Sequence, residues 1–153
     1  MQDRTHTLTP IDPRLGWRVL ALVYDFFPAL ALWFVVAVTF TALHGDSIRG
    51  GWLGLVEFAC LYALTGLYAT ASWRRGGQTI GMKPWHLYVD AADGGRASLR
   101  HLWLRYLVGS VSLLCAGAGF WWALFDRDKL TWHDRISGTR LIRDPARDGA
   151  RGA

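Results

Sequence analysis

The sequence predicts an all-α membrane protein, a small polytopic helical bundle with three hydrophobic segments and a partly ordered cytoplasmic loop. Three observations predict it. The run Trp17 to Leu43, WRVLALVYDFFPALALWFVVAVTFTAL, exceeds the roughly 20 apolar residues that cross a bilayer at 1.5 Å rise each. Two more apolar stretches follow at Trp52–Trp73 and Tyr106–Phe125, and charged residues, 19% of the 153, sit mostly between and after the three. The net charge of +5 is carried by connections rather than by a face of a soluble module, which suits membrane topology and excludes nucleic acid as a partner.

Residues 1–14 form a polar tail with Pro10 and Pro13, and Leu15 to Leu43 is the first helix. Arg14 and Arg18 ahead of Ala29-Leu30-Ala31 imitate a secretory signal and its cleavage site. The apolar run continues past that site without a polar region, so the expectation is an uncleaved first span. Asp25 lies inside this run, where a carboxylate costs about 2.5–3.5 kcal/mol on insertion scales. Arg18 lies on the same helical face, two turns and roughly 10 Å away. Pro28 should kink the helix near that carboxylate. The turn at 44–51, with one Arg and one Asp, has no basic excess and is expected outside the cell.

In the second helix, Ala59, Ala63, Gly66 and Thr70 make a small-residue stripe that invites close approach of a neighbour. Glu57, Leu61, Leu64 and Tyr68 line the opposite face, and Glu57 is expected to reach toward the outer interface or to meet another subunit. The connection from Arg74 to His101 carries Arg74, Arg75, Lys83, Arg96 and Arg100 against Asp90 and Asp93, which places it in the cytoplasm. Trp85 to Asp90 reads as a short strand, Asp93-Gly94-Gly95 as a turn, and Ser98 as the cap of the next helix.

Tyr106 to Phe125, preceded by Arg105, is just long enough for one crossing. Crossing would leave the basic tail, with seven Lys/Arg and five Asp in residues 126–153, on the outside. A third segment broken near Gly117–Gly119 and re-entrant resolves that conflict and lets Thr139-Arg140-Leu141-Ile142 pair with Trp85–Val89. Irregular backbone at such depth should be enclosed by protein. The domain is expected to span residues 15–143, with 144–153 a disordered tail.

Few motifs carry chemistry. The loop Gly77-Gln78-Thr79-Ile80-Gly81-Met82-Lys83 has a passing likeness to a nucleotide phosphate loop, but Pro84 follows Lys83 where a hydroxyl and a helix are required. It reads as a tight turn at the membrane surface. His133-Asp134 has the residue types of a general base pair, yet neighbours in sequence point apart and no nucleophile has the right context. His6, His44, His86 and His101 show no metal-ligand spacing, and Cys60 and Cys115 lie in apolar runs. No enzyme activity, metal or cofactor is expected. Asp25 remains the sharpest residue. It is either held in a buried salt bridge with Arg18 or Arg105, or it is a titrating carboxylate.

Arg18 and Asp25 in a first helix, the 77–83 loop after a second, Arg105 opening a third, and His133-Asp134 followed by Gly138-Thr139 together resemble the RDD family of prokaryotic membrane proteins. The resemblance covers about residues 14–143. The arginine and two aspartates of the family's name fall at Arg18, Asp25 and Asp134. Glu57 and Trp85-His86 depart from the pattern. The resemblance implies a multi-pass protein of the bacterial inner membrane; some members are proposed to act in cation/proton antiport. On this chain Arg18, Asp25, Arg105, His133 and Asp134 are expected to converge at the cytoplasmic face, backed by the Gln78–Lys83 turn. The leading expectation is a structural or interaction module in contact with the lipid bilayer and with a second copy or another membrane protein. The alternative is a cation/proton antiporter with Asp25 as its titrating group.

Overall fold

The computed structural model describes residues 14–45 and 51–149; predictions for 1–13, for 46–50 and for 150–153 lie outside the described residues. The long apolar runs become two long helices, α1 (Leu15–His44) and α2 (Gly51–Gly76). Both are long and apolar enough to cross a membrane. Helix α1 passes unbroken through Ala29-Leu30-Ala31 and Pro28. It stops where Gly45 takes a left-handed conformation, φ +80°, and donates its N–H to Thr41 O at 2.9 Å, the conformation glycine adopts without a Cβ penalty.

Beyond α2 the chain forms β1 (Leu87–Ala91), α3 (Leu99–Leu114), α4 (Ala118–Phe125), α5 (Trp132–Ser137), β2 (Thr139–Arg143) and a last short turn of helix, α6 (Ala146–Gly149). Ser98 caps α3 by accepting from the His101 N–H, and the 93–95 turn closes through Gly94 N–H to Ala91 O at 2.9 Å. The strands pair antiparallel, Val89 opposite Leu141 and Ala91 opposite Thr139. This shifts the expected strand forward by about two residues. Lys83–Trp85 is a single 3-10 turn and His86 is left-handed, φ +54°, because Pro84 favours a turn over a sheet ladder.

The third segment does break. Ala116 and Gly117 are both left-handed, and α4 leaves α3 at 96°. The break is enclosed only in part: Cys115 and Ala116 are exposed, Gly117 and Ala118 half-buried and Gly119 buried. The turn satisfies its own backbone: Gly117 N–H reaches Ser112 O at 2.8 Å and Ala118 N–H reaches Cys115 O at 3.0 Å. Gly119 then lets α4 lie against α3, since a Cβ there would come within 2.9 Å of Ser112 Cβ and 3.1 Å of Trp132 Cβ. Because β2 pairs with β1, the chain ends this excursion at the pole of the fold from which α3 departs.

That pole holds the core. Leu87, Val89 and Leu141 of the ribbon pack with Ala21, Met82, Ala97 and Leu102, flanked by Trp17, Trp73 and Trp85. The ordered chain also runs beyond residue 143. Asp144 accepts from the Ala146 and Arg147 N–H groups, and Arg147 pairs with Asp90 at 2.8 Å, so residues 144–149 join the domain rather than a tail.

The small-residue stripe of α2 is used only at its pole-proximal end. Gly66 and Thr70 are buried, while Ala59 and Ala63 are exposed. Farther along, α3 meets α2 through Tyr106, whose hydroxyl donates to Tyr62 O at 2.8 Å, and leaves the alanines uncovered. At Gly66 the helices nearly touch: a Cβ would lie 2.7 Å from the Trp103 ring and 2.8 Å from that of Tyr106. Gly66→Ala should therefore lower the thermal midpoint of the detergent-solubilised protein, at a cost of about 1–3 kcal/mol. Gly109→Ala, in open space on α3, should raise it slightly, by about 0.5–1 kcal/mol. Equal effects from the two would show that α2 and α3 do not pack as described.

Candidate functional site

Four of the five residues expected to converge do so at the ribbon pole, and Asp134 is their centre. Its Oδ2 accepts from Arg18 Nη1 and its Oδ1 from Arg105 Nη1. The site thus joins the first turn of α1, the second turn of α3 and the start of α5. All three side chains are buried, Asp134 at 1% exposure and each arginine at 5%.

Local sequence dictates how Asp134 is aimed. Thr131 and Asp134 form a reciprocal capping box at the start of α5, a T-x-x-D pattern that satisfies two otherwise orphaned N–H groups. Thr131 N–H and hydroxyl donate to Oδ2 at 3.2 and 2.8 Å. Arg105 also donates to Thr139 Oγ1 at 2.8 Å, and Thr139 lies 2.7 Å from Ser137 Oγ. The Arg105 guanidinium further stacks over the Trp73 ring at 5.6 Å. A buried carboxylate facing two guanidiniums and a hydroxyl has its lone pairs filled, the condition under which a buried charge is tolerable.

Asp25 corrects the sequence reading. It is not bridged to Arg18 or Arg105; Asp134 has taken both arginines. Two helical turns along α1 keep Asp25 away from that centre, and a different set of donors holds it. Gly81 N–H donates to its Oδ1 at 2.9 Å, Tyr68 hydroxyl donates to the same oxygen at 3.0 Å, and Thr79 hydroxyl donates to Oδ2. The tyrosine oxygen also accepts from Ile80 N–H at 3.1 Å. Gly81 has to be glycine for this contact, because a Cβ would fall 2.7 Å from Asp25 Cγ. Asp25 therefore fastens the 77–83 loop to α1.

Within that loop, Gly77 is left-handed and seated against the Tyr88 ring, and Gln78 is buried. Lys83 is exposed and opens the 3-10 turn. In the sequence Tyr68 is only one of four residues on a helical face and Thr139 only a strand and motif residue; Thr131 and Ser137 stand in none of the patterns above, although the capping pattern at 131–134 is readable. Glu57 is half-buried, and Cys60 and Cys115 are exposed and unpaired.

His133 packs its ring 4.7 Å from Phe120. Burial, and then the Arg105 and Arg18 guanidiniums, push its pKa down to about 3. Burial alone would raise the Asp134 carboxyl, but Arg105 and Arg18 outweigh it and hold the group far below the ordinary carboxylate range. Among the described residues no group of three or more His, Cys, Asp or Glu is placed to hold a metal ion.

Fold and site together define an α-helical membrane protein whose ribbon pole is tied by a buried Arg–Asp–Arg set. The RDD family model matches residues 13–138, and the chain belongs to the RDD family. Among curated proteins and among solved structures, none matches it. The family's arginine and second aspartate, placed here at Arg18 and Asp134, are one ion pair, while its first aspartate, placed at Asp25, fixes a loop.

His133 and Asp134 each contribute to the acid response. Unfolded, His133 takes a proton at its ordinary 6.5; folded, it resists until about 3. The unfolded chain thus binds more protons in that window, and stability falls as pH drops through it. Asp134 adds a second loss that begins only below its ordinary 3.8. In detergent, His133→Leu should flatten the fall in thermal midpoint between pH ~6.5 and ~4 and leave the steeper loss below it. An unchanged upper limb would contradict the buried neutral imidazole.

Proposed function

We propose that this protein is a multi-pass module of a bacterial inner membrane that works by structure and interaction rather than by catalysis or ion transport. In this reading α1 and α2 span the bilayer, and α3–α4 enters and returns without crossing. The ribbon, α5 and the 77–83 loop form a platform at the cytoplasmic face, with the basic connection and tail on that same side. The platform meets lipid headgroups, a second copy or another membrane protein.

One observation carries the reading: both acidic residues of the cluster are occupied by fixed donors. Asp134 is filled by Arg18, Arg105 and Thr131, and Asp25 by Thr79, Gly81 and Tyr68. Three donors pointed at Asp25 suit a resting carboxylate; a cation would have to displace them. A catalytic role fits poorly as well, since a histidine with a pKa of about 3 is too weak a proton acceptor for general base work near neutral pH.

A cation/proton exchanger with Asp25 as its titrating group is the competing reading. It is favoured by one fact, that Asp25 is half-buried and has no cationic partner among the described residues. Purified protein in vesicles separates the two. The module reading expects no cation-driven proton flux above empty vesicles, and it expects Asp25→Ala to lower the yield of folded protein by freeing the 77–83 loop. Flux that disappears in Asp25→Asn while folded protein stays at wild-type levels would establish the exchanger instead.

A further inference from the structure

A second charged feature lies at the same pole and takes no part in the buried triad. It is a narrow cleft, with about 10 Å³ of open space, between the end of α2 and the turn leading from β1 into α3. Its walls include Trp73, Arg74, Gly77, Asp90, Arg96 and Arg147. Three guanidiniums against one carboxylate leave a local charge of +2. Arg147 is already oriented, donating to Asp90 at 2.8 Å with its guanidinium 4.5 Å from the Tyr88 ring centroid. Arg74 and Arg96 are exposed, and neither has an ion-pair partner among the described residues.

An anion with several oxygens, held across the mouth of the cleft by the exposed Arg74 and Arg96 side chains, is the ligand such a set suits. The planar guanidinium fork matches phosphate oxygens in pairs, which an ammonium does not. The position narrows the source. Arg74 sits in the last turn of the apolar helix α2, and Arg96 lies two residues before the Ser98 cap of α3, so the cleft lies where apolar chain gives way to polar. In a membrane protein that level is the headgroup layer, and basic pockets there collect acidic lipids. We propose that Arg74, Arg96 and Arg147 seat the phosphate of an anionic phospholipid headgroup. The inference rests on the placement of this pole at the bilayer surface and adds a ligand class to it.

The test uses the full chain, purified in mild detergent with equal phosphatidylglycerol and phosphatidylcholine, and counts retained lipid by native mass spectrometry. Wild-type protein should keep phosphatidylglycerol in preference to phosphatidylcholine, and millimolar inorganic phosphate should not displace it. Arg74→Gln with Arg96→Gln should reduce that retention by about five-fold per arginine. Arg75→Gln with Arg100→Gln, which removes the same charge from exposed arginines outside the cleft, should lower it clearly less, because those charges attract the headgroup without gripping it in a fork. Should the glutamine pair fail to fold, Arg74→Lys with Arg96→Lys keeps the charge, loses the fork and should still reduce retention measurably. Equal losses from cleft and control pairs, displacement by free phosphate, unaltered retention in the lysine pair, or no preference over phosphatidylcholine would each overturn the proposal. The flux assay above involves neither Arg74 nor Arg96, so either result stands without the other.

Discussion

A carboxylate at Asp134, buried between the guanidiniums of Arg18 and Arg105, is the constraint on which the architecture depends. Those three side chains come from the first turn of α1, the early part of α3 and the return segment after α4. Removing water from three charges is expensive, and the attraction among them offsets that cost only when the geometry is complete. Here the carboxylate is filled and Arg105 Nη1 also reaches Thr139, while the Nε of each arginine is buried without a partner. The arrangement retains one surplus positive charge, so its worth lies less in net stabilisation than in the penalty for any packing that separates its members. Losing one partner from a buried pair costs about 3–5 kcal/mol, a large share of the stability of an ordinary domain.

This requirement explains the bent third segment. Asp134 has to return to Arg105, which lies only two turns into α3, so the chain cannot continue away from the pole. The left-handed pair at Ala116 and Gly117 turns it, α4 carries it sideways, and the Thr131 capping box starts α5 with the carboxylate facing the arginines. The ribbon follows from the same return, since Thr139–Arg143 emerges beside Leu87–Ala91. Asp25 performs a parallel task with neutral donors, holding the loop that leads into β1 against α1. The two aspartates thus fix the two ends of one platform, one through charge and the other through hydrogen bonds.

Much of this was legible in the sequence because membrane segments announce themselves by length and charge exclusion. The long apolar helices α1 and α2, the interrupted third stretch, the turn residues and the Ser98 cap all follow from patterns along the local sequence. The partners of the aspartates were not legible. Arg18 shares a helical face with Asp25, and that proximity in sequence suggested a pair, whereas the fold joins Arg18 to a residue 116 positions away. Nor could α-helical spacing show that Tyr68 would turn its hydroxyl toward Asp25. Such contacts depend on how the 77–83 loop lies on α1, which is decided by the absence of a side chain at Gly81. The end of the ordered domain was likewise hidden, because the Arg147–Asp90 pair exists only once β1 and β2 are together.

The central claim is that Arg18 and Asp134 are one energetic unit. A double-mutant cycle measures it directly, comparing Arg18→Gln, Asp134→Asn and the double variant by equilibrium unfolding in detergent micelles. Coupling of at least about 2 kcal/mol, with the double variant much less destabilised than the sum of the singles, is the result this architecture requires. Effects that add within about 0.5 kcal/mol would mean that the two residues act independently, and the buried triad would not be what holds the fold together.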